Sequence, residues 1–178
     1  MSSQKPNSDR SHTIAVLVDN EPGVLARVIG LFAGRGYNIE SLTVSEIDSV
    51  KGYSRITIVT SGTDMVIEQI KALLDRLVPV HMVEDLTVQG PCLERELALV
   101  KVVNAGESRI EALRIADMFR ARAIDSTLNS FVFELTGSPK KLNAFIELMS
   151  GLGKTEITRG GVVAMARGSG IGLQSAKS

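Results

Sequence analysis

The sequence is poor in residues that build cross-linked or metal-bound folds. Its single cysteine, Cys92, excludes an internal disulfide and a multi-cysteine metal site, which suits a reducing compartment. Lysine plus arginine equals aspartate plus glutamate at 20 each, so no basic surface for nucleic acid is predicted. No apolar run is long enough to span a membrane, and residues 1–11 lack the apolar core of a signal peptide. We therefore expect a cytoplasmic protein that contacts neither nucleic acid nor membrane.

Residues suited to catalysis are also scarce. His12 lies beside the polar N-terminus and His81 begins a predicted strand, and neither has a carboxylate or a nucleophile at motif spacing. We expect a surface histidine and a strand-edge histidine. Gly153-Lys154-Thr155 matches the end of a phosphate-binding loop, but Leu148 stands where that loop needs its first glycine. The sequence therefore predicts no catalytic residue and no metal site.

Hydrophobic periodicity describes a first domain over residues 12–89. Apolar or alternating segments predict strands at 13–18, 39–47, 53–60 and 80–88, and apolar residues at helical spacing predict helices that begin near Gly23 and Asp64. This strand-helix-strand-strand-helix-strand order packs two helices on one face of a four-stranded antiparallel sheet. The first domain is therefore predicted to be ferredoxin-like.

The same order repeats after Gln89-Gly90-Pro91, in a second domain over residues 93–168. Ser108, with Glu111 three residues later, predicts the start of one helix through a capping box. Ser138 followed by proline predicts the start of the other helix. One last strand is predicted over 156–166. The fold class is thus α+β, with two ferredoxin-like βαββαβ domains between a disordered tail at 1–11 and a flexible tail at 169–178.

RNA-recognition modules share this element order and stack bases on aromatic side chains of the sheet. The third predicted strand contains one aromatic residue, Tyr53, and no basic glycine-aromatic signature. The chain has no net charge to attract a phosphate backbone. RNA binding is therefore the weaker interpretation.

The turn at Gly23, between the first strand and the first helix, has the most chemical content. Backbone N–H groups at a helix N-terminus lack intrahelical partners and carry partial positive charge, so they can bind a carboxylate or a phosphate. Gly23 has no side chain to block that approach. A glycine after Pro22 is equally typical of a plain strand-to-helix turn. The residues alone leave the anion site and the plain turn both open.

Three segments resemble a known family. Asn20-Glu21-Pro22-Gly23-Val24-Leu25 resembles the opening of an ACT domain, a broad class of amino-acid-sensing modules. Arg35-Gly36-Tyr37-Asn38-Ile39-Glu40-Ser41-Leu42 is more specific and resembles the regulatory (small) subunit of acetohydroxyacid synthase, also called acetolactate synthase. Residues 94–102 resemble the start of that family's second domain, and the likeness continues to Val162. Pro22 stands where relatives often have serine. We expect the proline to rigidify the turn without removing a ligand.

The resemblance implies a non-catalytic subunit that activates a thiamine-diphosphate-dependent catalytic subunit and confers feedback inhibition by valine. The pathway would be the biosynthesis of valine, leucine and isoleucine. The resemblance implies no cofactor in this chain, with thiamine diphosphate, Mg and FAD held by the catalytic (large) subunit. It also implies a homodimer formed through paired ACT domains. A stand-alone ACT-domain amino-acid sensor that acts on another enzyme or regulator is the alternative.

The same resemblance implies an effector site shared between two subunits. The implied residues are Asn20, Gly23, Val24, Leu25, Asn38 and Ile39. The glycine turn would bind the carboxylate of valine through backbone N–H groups, the asparagine before it would bind the amino or carboxylate group, and the last two residues would come from the neighbouring subunit. One methylene separates valine from leucine, worth roughly 1–3 kcal/mol, so a partial response to other branched amino acids is expected.

Overall fold

The computed structural model describes residues 9–88, 90, 92–103 and 106–169. Its elements in chain order are β1 (Arg10–Asp19), α1 (Val24–Arg35), β2 (Ser41–Asp48), β3 (Tyr53–Gly62), α2 (Asp64–Asp75), β4 (Val80–Asp85), β5 (Cys92–Val103), α3 (Glu107–Phe119), β6 (Arg122–Ser126), β7 (Ser130–Gly137), α4 (Pro139–Ser150), β8 (Lys154–Arg159) and β9 (Val163–Ala166). The βαββαβ order therefore occurs twice, and the predicted α+β fold class is confirmed.

The first compact unit contains the chain up to Leu93 and again from Ala164. Its sheet has the order β2-β3-β1-β4, with antiparallel pairing throughout. β1 is central because its run 12–18 is buried on both faces. One face of β1 and β3 packs against α1 and α2, through a core that includes Val16, Phe32, Ile58 and Leu74. Two helices on one face of a four-stranded sheet agree with the prediction.

The other face of this sheet carries a smaller core in which Ala15 and Leu17 pack with Leu86 and Ala164. The Arg55 guanidinium donates a hydrogen bond to the Ala164 carbonyl at 2.7 Å. β9, which contains Ala164, pairs with β5, whose first two residues also belong to the first unit. The sequence assigned 164–168 to the second domain. The difference arises because Ala164 on β9 packs against the apolar face formed by Ala15, Leu17 and Leu86. Hydrophobic periodicity shows that a residue is buried but not which sheet it packs against.

The second unit, Glu94–Val163, has its own sheet in the order β6-β7-β5-β8, again antiparallel. Its core combines aliphatic side chains with a cluster of phenylalanine rings. The ring of Phe145 on α4 lies 5.4 Å from that of Phe119 and 6.1 Å from that of Phe133, measured between centroids. This unit therefore buries a core that is separate from the first one.

Two predicted helix starts in the second unit have different outcomes. Ser138 caps α4, accepting a hydrogen bond from the backbone N–H of Lys141 at 3.3 Å, as predicted. The capping box at Ser108 is wrong, because α3 begins at Glu107 and its N-cap is Gly106, which has a φ of 63° and no side chain to cap the helix. Ser108 lies inside the first turn of α3.

Two predicted boundaries also change. The single strand predicted over 156–166 is broken into β8 and β9 by Gly160 and Gly161, the latter with a φ of 80°. The predicted disordered tail at 1–11 is too long, because Arg10 and Ser11 pair with Gly62 and Ser61 in the first sheet. Residues 1–8 and 170–178 of the predicted tails lie outside the described residues. No helix in the described part of the chain is long and apolar enough to cross a membrane.

Candidate functional site

The candidate site is the segment that joins β1 to α1, and backbone hydrogen bonds hold its first residues. The N–H of Asp19 donates to the Pro79 carbonyl at 2.9 Å, and the N–H of Asn20 donates to the Gly52 carbonyl at 2.7 Å. These bonds connect the end of β1 to the loops on both sides of it. The side chain of Asn20 is exposed, while its backbone is held in place by the hydrogen bond to Gly52.

Gly23 forms the N-terminal cap of α1 in a left-handed conformation, with φ of 88° and ψ of −10°. No side chain caps this helix, and its first turn contains no acidic residue. A Cβ built on Gly23 would meet nothing within 4 Å, so the approach to the helix end is open. The N–H of Val24 makes only a long bond of 3.4 Å to the Glu21 carbonyl. The partial positive charge of the helix end is therefore available to an anion.

The two residues after Gly23 differ in what they can offer a ligand. Val24 is 5% exposed and its side chain belongs to the main core, so only its N–H is left for binding. Leu25 is half-buried and packs against the edge of the same core. The turn thus combines backbone donors with an adjoining apolar side chain.

The remaining predicted residues, Asn38 and Ile39, lie in the loop between α1 and β2. Gly36 ends α1 with a φ of 69°, and the N–H of Tyr37 donates back to the Phe32 carbonyl at 3.0 Å. The Asn38 carbonyl accepts a hydrogen bond from the Thr60 hydroxyl at 2.6 Å, which leaves the exposed Asn38 side chain for other contacts. This loop is therefore ordered by the chain itself.

Within one chain, the Gly23 turn does not lie close to Asn38 and Ile39. Asp19, next to the glycine turn, pairs with Tyr53 at the start of β3, whereas Ser41, next to Asn38, pairs with Val59 near the end of β3. β2 from Ser41 to Asp48 spans about 23 Å at the usual rise per residue of a strand. The glycine turn and Asn38 are thus at opposite ends of the sheet, and β2 is a terminal strand of it.

The sequence predicted His12 to be a surface residue, and that prediction is wrong because its side chain is buried. His12 is 5% exposed, and its Nδ1 atom lies 2.8 Å from Oδ2 of Asp85, which is also buried. The Nε2 atom of His81 lies 2.6 Å from Oδ1 of Asp19, and its ring is 4.7 Å from the Tyr53 ring. Both carboxylates are more than 60 residues away in sequence, so no local spacing could have indicated them.

Two arginines have pKa values displaced by their surroundings. Burial lowers the pKa of Arg55 below the usual arginine value, and the charge of Glu84 partly offsets this effect. Hydrogen bonds to Glu96 raise the pKa of Arg159, which holds that carboxylate through two contacts of 2.6 and 2.7 Å. Both arginines stay charged and have structural roles. Among the described residues, no group of three or more histidine, cysteine, aspartate or glutamate side chains could hold a metal.

Comparison with known proteins covers most of the chain. Residues 14–82 match the family model of the AHAS small subunit-like ACT domain, and residues 95–168 match that of the small subunit of acetolactate synthase. A probable acetolactate synthase small subunit of Archaeoglobus fulgidus is 48% identical over 158 residues, which are 89% of this chain and 98% of that protein. The acetolactate synthase isozyme 3 small subunit of Escherichia coli is 45% identical over 159 residues, with 89% and 96% covered.

The fold is similar to a crystal structure of the acetolactate synthase small subunit from Thermotoga maritima. The TM-score is 0.79 at 39% sequence identity, over 90% of this chain and 99% of that one. The family models, the identities and the shared fold agree with the resemblance carried by the Gly23 turn and the 35–42 segment. The chain belongs to the acetolactate synthase small-subunit family.

Proposed function

We propose that this chain is a non-catalytic regulatory subunit that raises the activity of an acetolactate synthase large subunit and makes that activity sensitive to valine. The observation that carries the proposal is the open, uncapped N-terminus of α1 at Gly23, within an ACT domain of this family. Thiamine diphosphate, Mg and FAD would reside in the large subunit. This chain would contribute regulation in branched-chain amino-acid biosynthesis.

Valine fits the chemistry of the Gly23 turn. Its carboxylate complements the free N–H groups and positive end of α1, because neither a capping side chain nor an acidic first-turn residue competes for them. Its ammonium group suits the oxygen of the exposed Asn20 side chain. Its small branched side chain suits the apolar surface beside Leu25. Leucine and isoleucine differ from valine by one methylene, so we expect them to bind more weakly but measurably.

A homodimer would complete this site. β2 is a terminal strand, so a second copy can pair with it and extend the sheet. In an antiparallel pairing of two β2 strands about a two-fold axis, the start of one β2 lies beside the end of the other. The neighbour's Asn38 and Ile39 would then approach the end of the sheet that holds Gly23. The separation of the two groups in one chain is therefore what a shared site requires.

Regulation would follow from a population shift. Valine bound across the dimer stabilises one arrangement of the paired ACT domains, and that arrangement supports the large subunit less well. The effect depends on the difference between the affinities of valine for the two arrangements. Equal affinity of valine for the two arrangements would leave their populations unchanged, however tightly valine binds.

The first test is calorimetric titration of the full chain with valine, with leucine and threonine as comparisons. We expect saturable binding that favours valine. Gly23→Asp places a carboxylate where the ligand carboxylate would bind, so we expect that variant to lose binding. Gly23→Ala is the control, because it also places a side chain at this positive φ and adds a Cβ that meets nothing within 4 Å, but no charge. We expect it to retain binding.

The second test uses the complex reconstituted with the large subunit, with acetolactate formation as the measurement. Gly23→Asp is expected to preserve activation and to lose inhibition by valine. An intact valine response in that variant would refute the site. No activation by the wild-type chain, or acetolactate formed by the chain alone, would refute the assignment as a non-catalytic regulatory subunit.

A further inference from the structure

A cavity at the opposite end of the ACT sheet from Gly23 has a separate set of polar groups. Its volume is about 400 Å³, and it lies between the start of β1, the first turns of α2 and the chain that follows β4. The residues that matter here are Arg10, His12, Asp64, Ile67, Glu68 and Val88. A volume of this size lies within the range of about 300–1,000 Å³ that is usual for small-molecule sites.

His12 gives this cavity its chemical character. The ring is 5% exposed, and its Nδ1 atom is engaged by Oδ2 of Asp85 at 2.8 Å. A carboxylate only accepts hydrogen bonds, so the Nδ1 atom that faces Asp85 is the donor, and in the tautomer that carries its proton there Nε2 presents a lone pair. Nε2 is buried and has no hydrogen-bond partner among the described residues. A buried acceptor without a donor carries a free-energy cost that a bound N–H or O–H group removes.

Asp85 is in turn held in place, which fixes the orientation of the ring. Its Oδ1 atom accepts a hydrogen bond from the backbone N–H of Thr87 at 2.9 Å, and the hydroxyl of Thr87 accepts one from the N–H of Thr13 at 2.9 Å. The carboxylate therefore has bonds on both oxygens, and His12 cannot readily rotate to satisfy Nε2 elsewhere. Nε2 of His12, a residue that lines the cavity, therefore stays without a hydrogen-bond donor among the described residues.

The charges around the cavity select the ligand. Three carboxylates, those of Asp64, Glu68 and Asp85, line it together with one guanidinium, that of Arg10. Asp64 and Glu68 lie four residues apart and hence on one face of α2, and one oxygen of Glu68 is 2.7 Å from Nζ of Lys71. The balance is acidic, while Ile67 and Val88 supply apolar wall. These walls suit a short aliphatic body with a positively charged donor.

We propose that this cavity binds a small primary ammonium compound, whose N–H donates to Nε2 of His12 while its charge is balanced by Glu68 and Asp64. The site is distinct from the turn at Gly23, because β1 separates His12 near its start from Asp19 at its end. The proposal does not depend on the proposed function of the turn.

The test is a titration of the full chain at fixed pH, followed by the ¹⁵N signals of the histidine rings. The chain has two histidines, so His81 serves as an internal control. The probes are n-butylammonium, tetramethylammonium, which has the charge but no N–H, and butyrate, which has the opposite charge. We expect a saturable shift of the His12 Nε2 signal with n-butylammonium only, while the His81 signals stay unchanged.

Two variants identify the groups responsible. His12→Asn keeps a donor near the Nδ1 position for Asp85 and deletes Nε2, and we expect binding at least about tenfold weaker. Because that variant changes a buried residue, Glu68→Gln provides a second test at an exposed position, with an expected loss of about fivefold. Backbone amide signals of Ile67 and Val88 report binding in both variants. Glu147→Gln, an exposed glutamate on α4 in the second unit, is the control and should bind as wild type.

Three results would overturn the proposal. One is the absence of any saturable shift, as expected if the cavity holds only water. Another is an equal response to tetramethylammonium or butyrate, which would show that the N–H donor is not recognised. The third is unchanged n-butylammonium binding in both His12→Asn and Glu68→Gln. Valine binding at Gly23 is measured separately, so each proposal can fail without the other.

Discussion

Gly23 forms the turn between β1 and α1 and leaves the N-terminus of α1 open. At its φ of 88°, an L-residue with a side chain is strained by about 1–2 kcal/mol, although space for a Cβ is available. We expect Gly23→Ala to lower the free energy of unfolding by that amount in denaturant titration. Gly30, inside α1, also has open space but ordinary helical backbone, so Gly30→Ala should raise stability by about 0.5–1 kcal/mol. Equal effects at both positions would contradict this explanation.

The two histidine–aspartate pairs test how burial changes the contribution of such a contact to the free energy of unfolding. Asp85→Ala leaves a buried histidine and a backbone N–H without their acceptor, at about 1–3 kcal/mol for each, so we expect a loss of about 2–6 kcal/mol in the free energy of unfolding. Asp19→Ala removes the partner of His81, in a pair that is about one-third exposed, and should cost about 1 kcal/mol or less. Denaturant titration of both variants measures the difference. Similar losses would show that burial does not govern these pairs.

At the scale of elements, β2 is the strand through which a second copy would extend the sheet. Val44 on β2 is 47% exposed. In the proposed dimer, Val44→Glu would bring two like charges close to the paired strands, so we expect the dimer dissociation constant to rise at least about tenfold. Sedimentation velocity across a concentration series measures it.

Val78→Glu is the control for that substitution. Val78 is 92% exposed in the turn before β4, away from β2, and its replacement should leave the dimer intact. A Val44→Glu protein that dimerises as tightly as wild type would place the interface elsewhere. Valine binding measured on the same sample should weaken with dissociation, because Asn38 and Ile39 of the neighbour would be lost.

At the scale of the whole molecule, each unit buries its own core. A substitution in one core is therefore expected to destabilise that unit and to leave the other unit folded. Phe145 is fully buried in the second unit, and Phe145→Ala should destabilise that unit by about 3–5 kcal/mol. We expect faster hydrogen exchange in β5 and β7, while valine binding at Gly23 persists. Phe32→Ala, in the core to which Val24 also belongs, should instead abolish valine binding at the proposed site. Loss of valine binding in both variants would show that the turn depends on the second unit.

The sequence by itself determined the type and order of nearly all elements, because each depends on local periodicity and on residues that stop a helix or strand. Apolar spacing predicted the first two helices, and Ser138 caps α4 as its chemistry indicated. The resemblance in 20–25 and 35–42 led to the family that the comparisons show. These features need information from only a few neighbouring residues.

Only the tertiary structure decided which distant residues meet. His12 and Asp85 are 73 residues apart and become partners because β1 and β4 pair in register, which no local pattern encodes. The placement of Ala164 against the first sheet and the separation of Gly23 from Asn38 likewise follow from strand order. The sequence names candidate site residues one segment at a time. Their distances, burial and free hydrogen-bonding atoms exist only once the sheets have formed, because strand pairing joins segments that are remote along the chain.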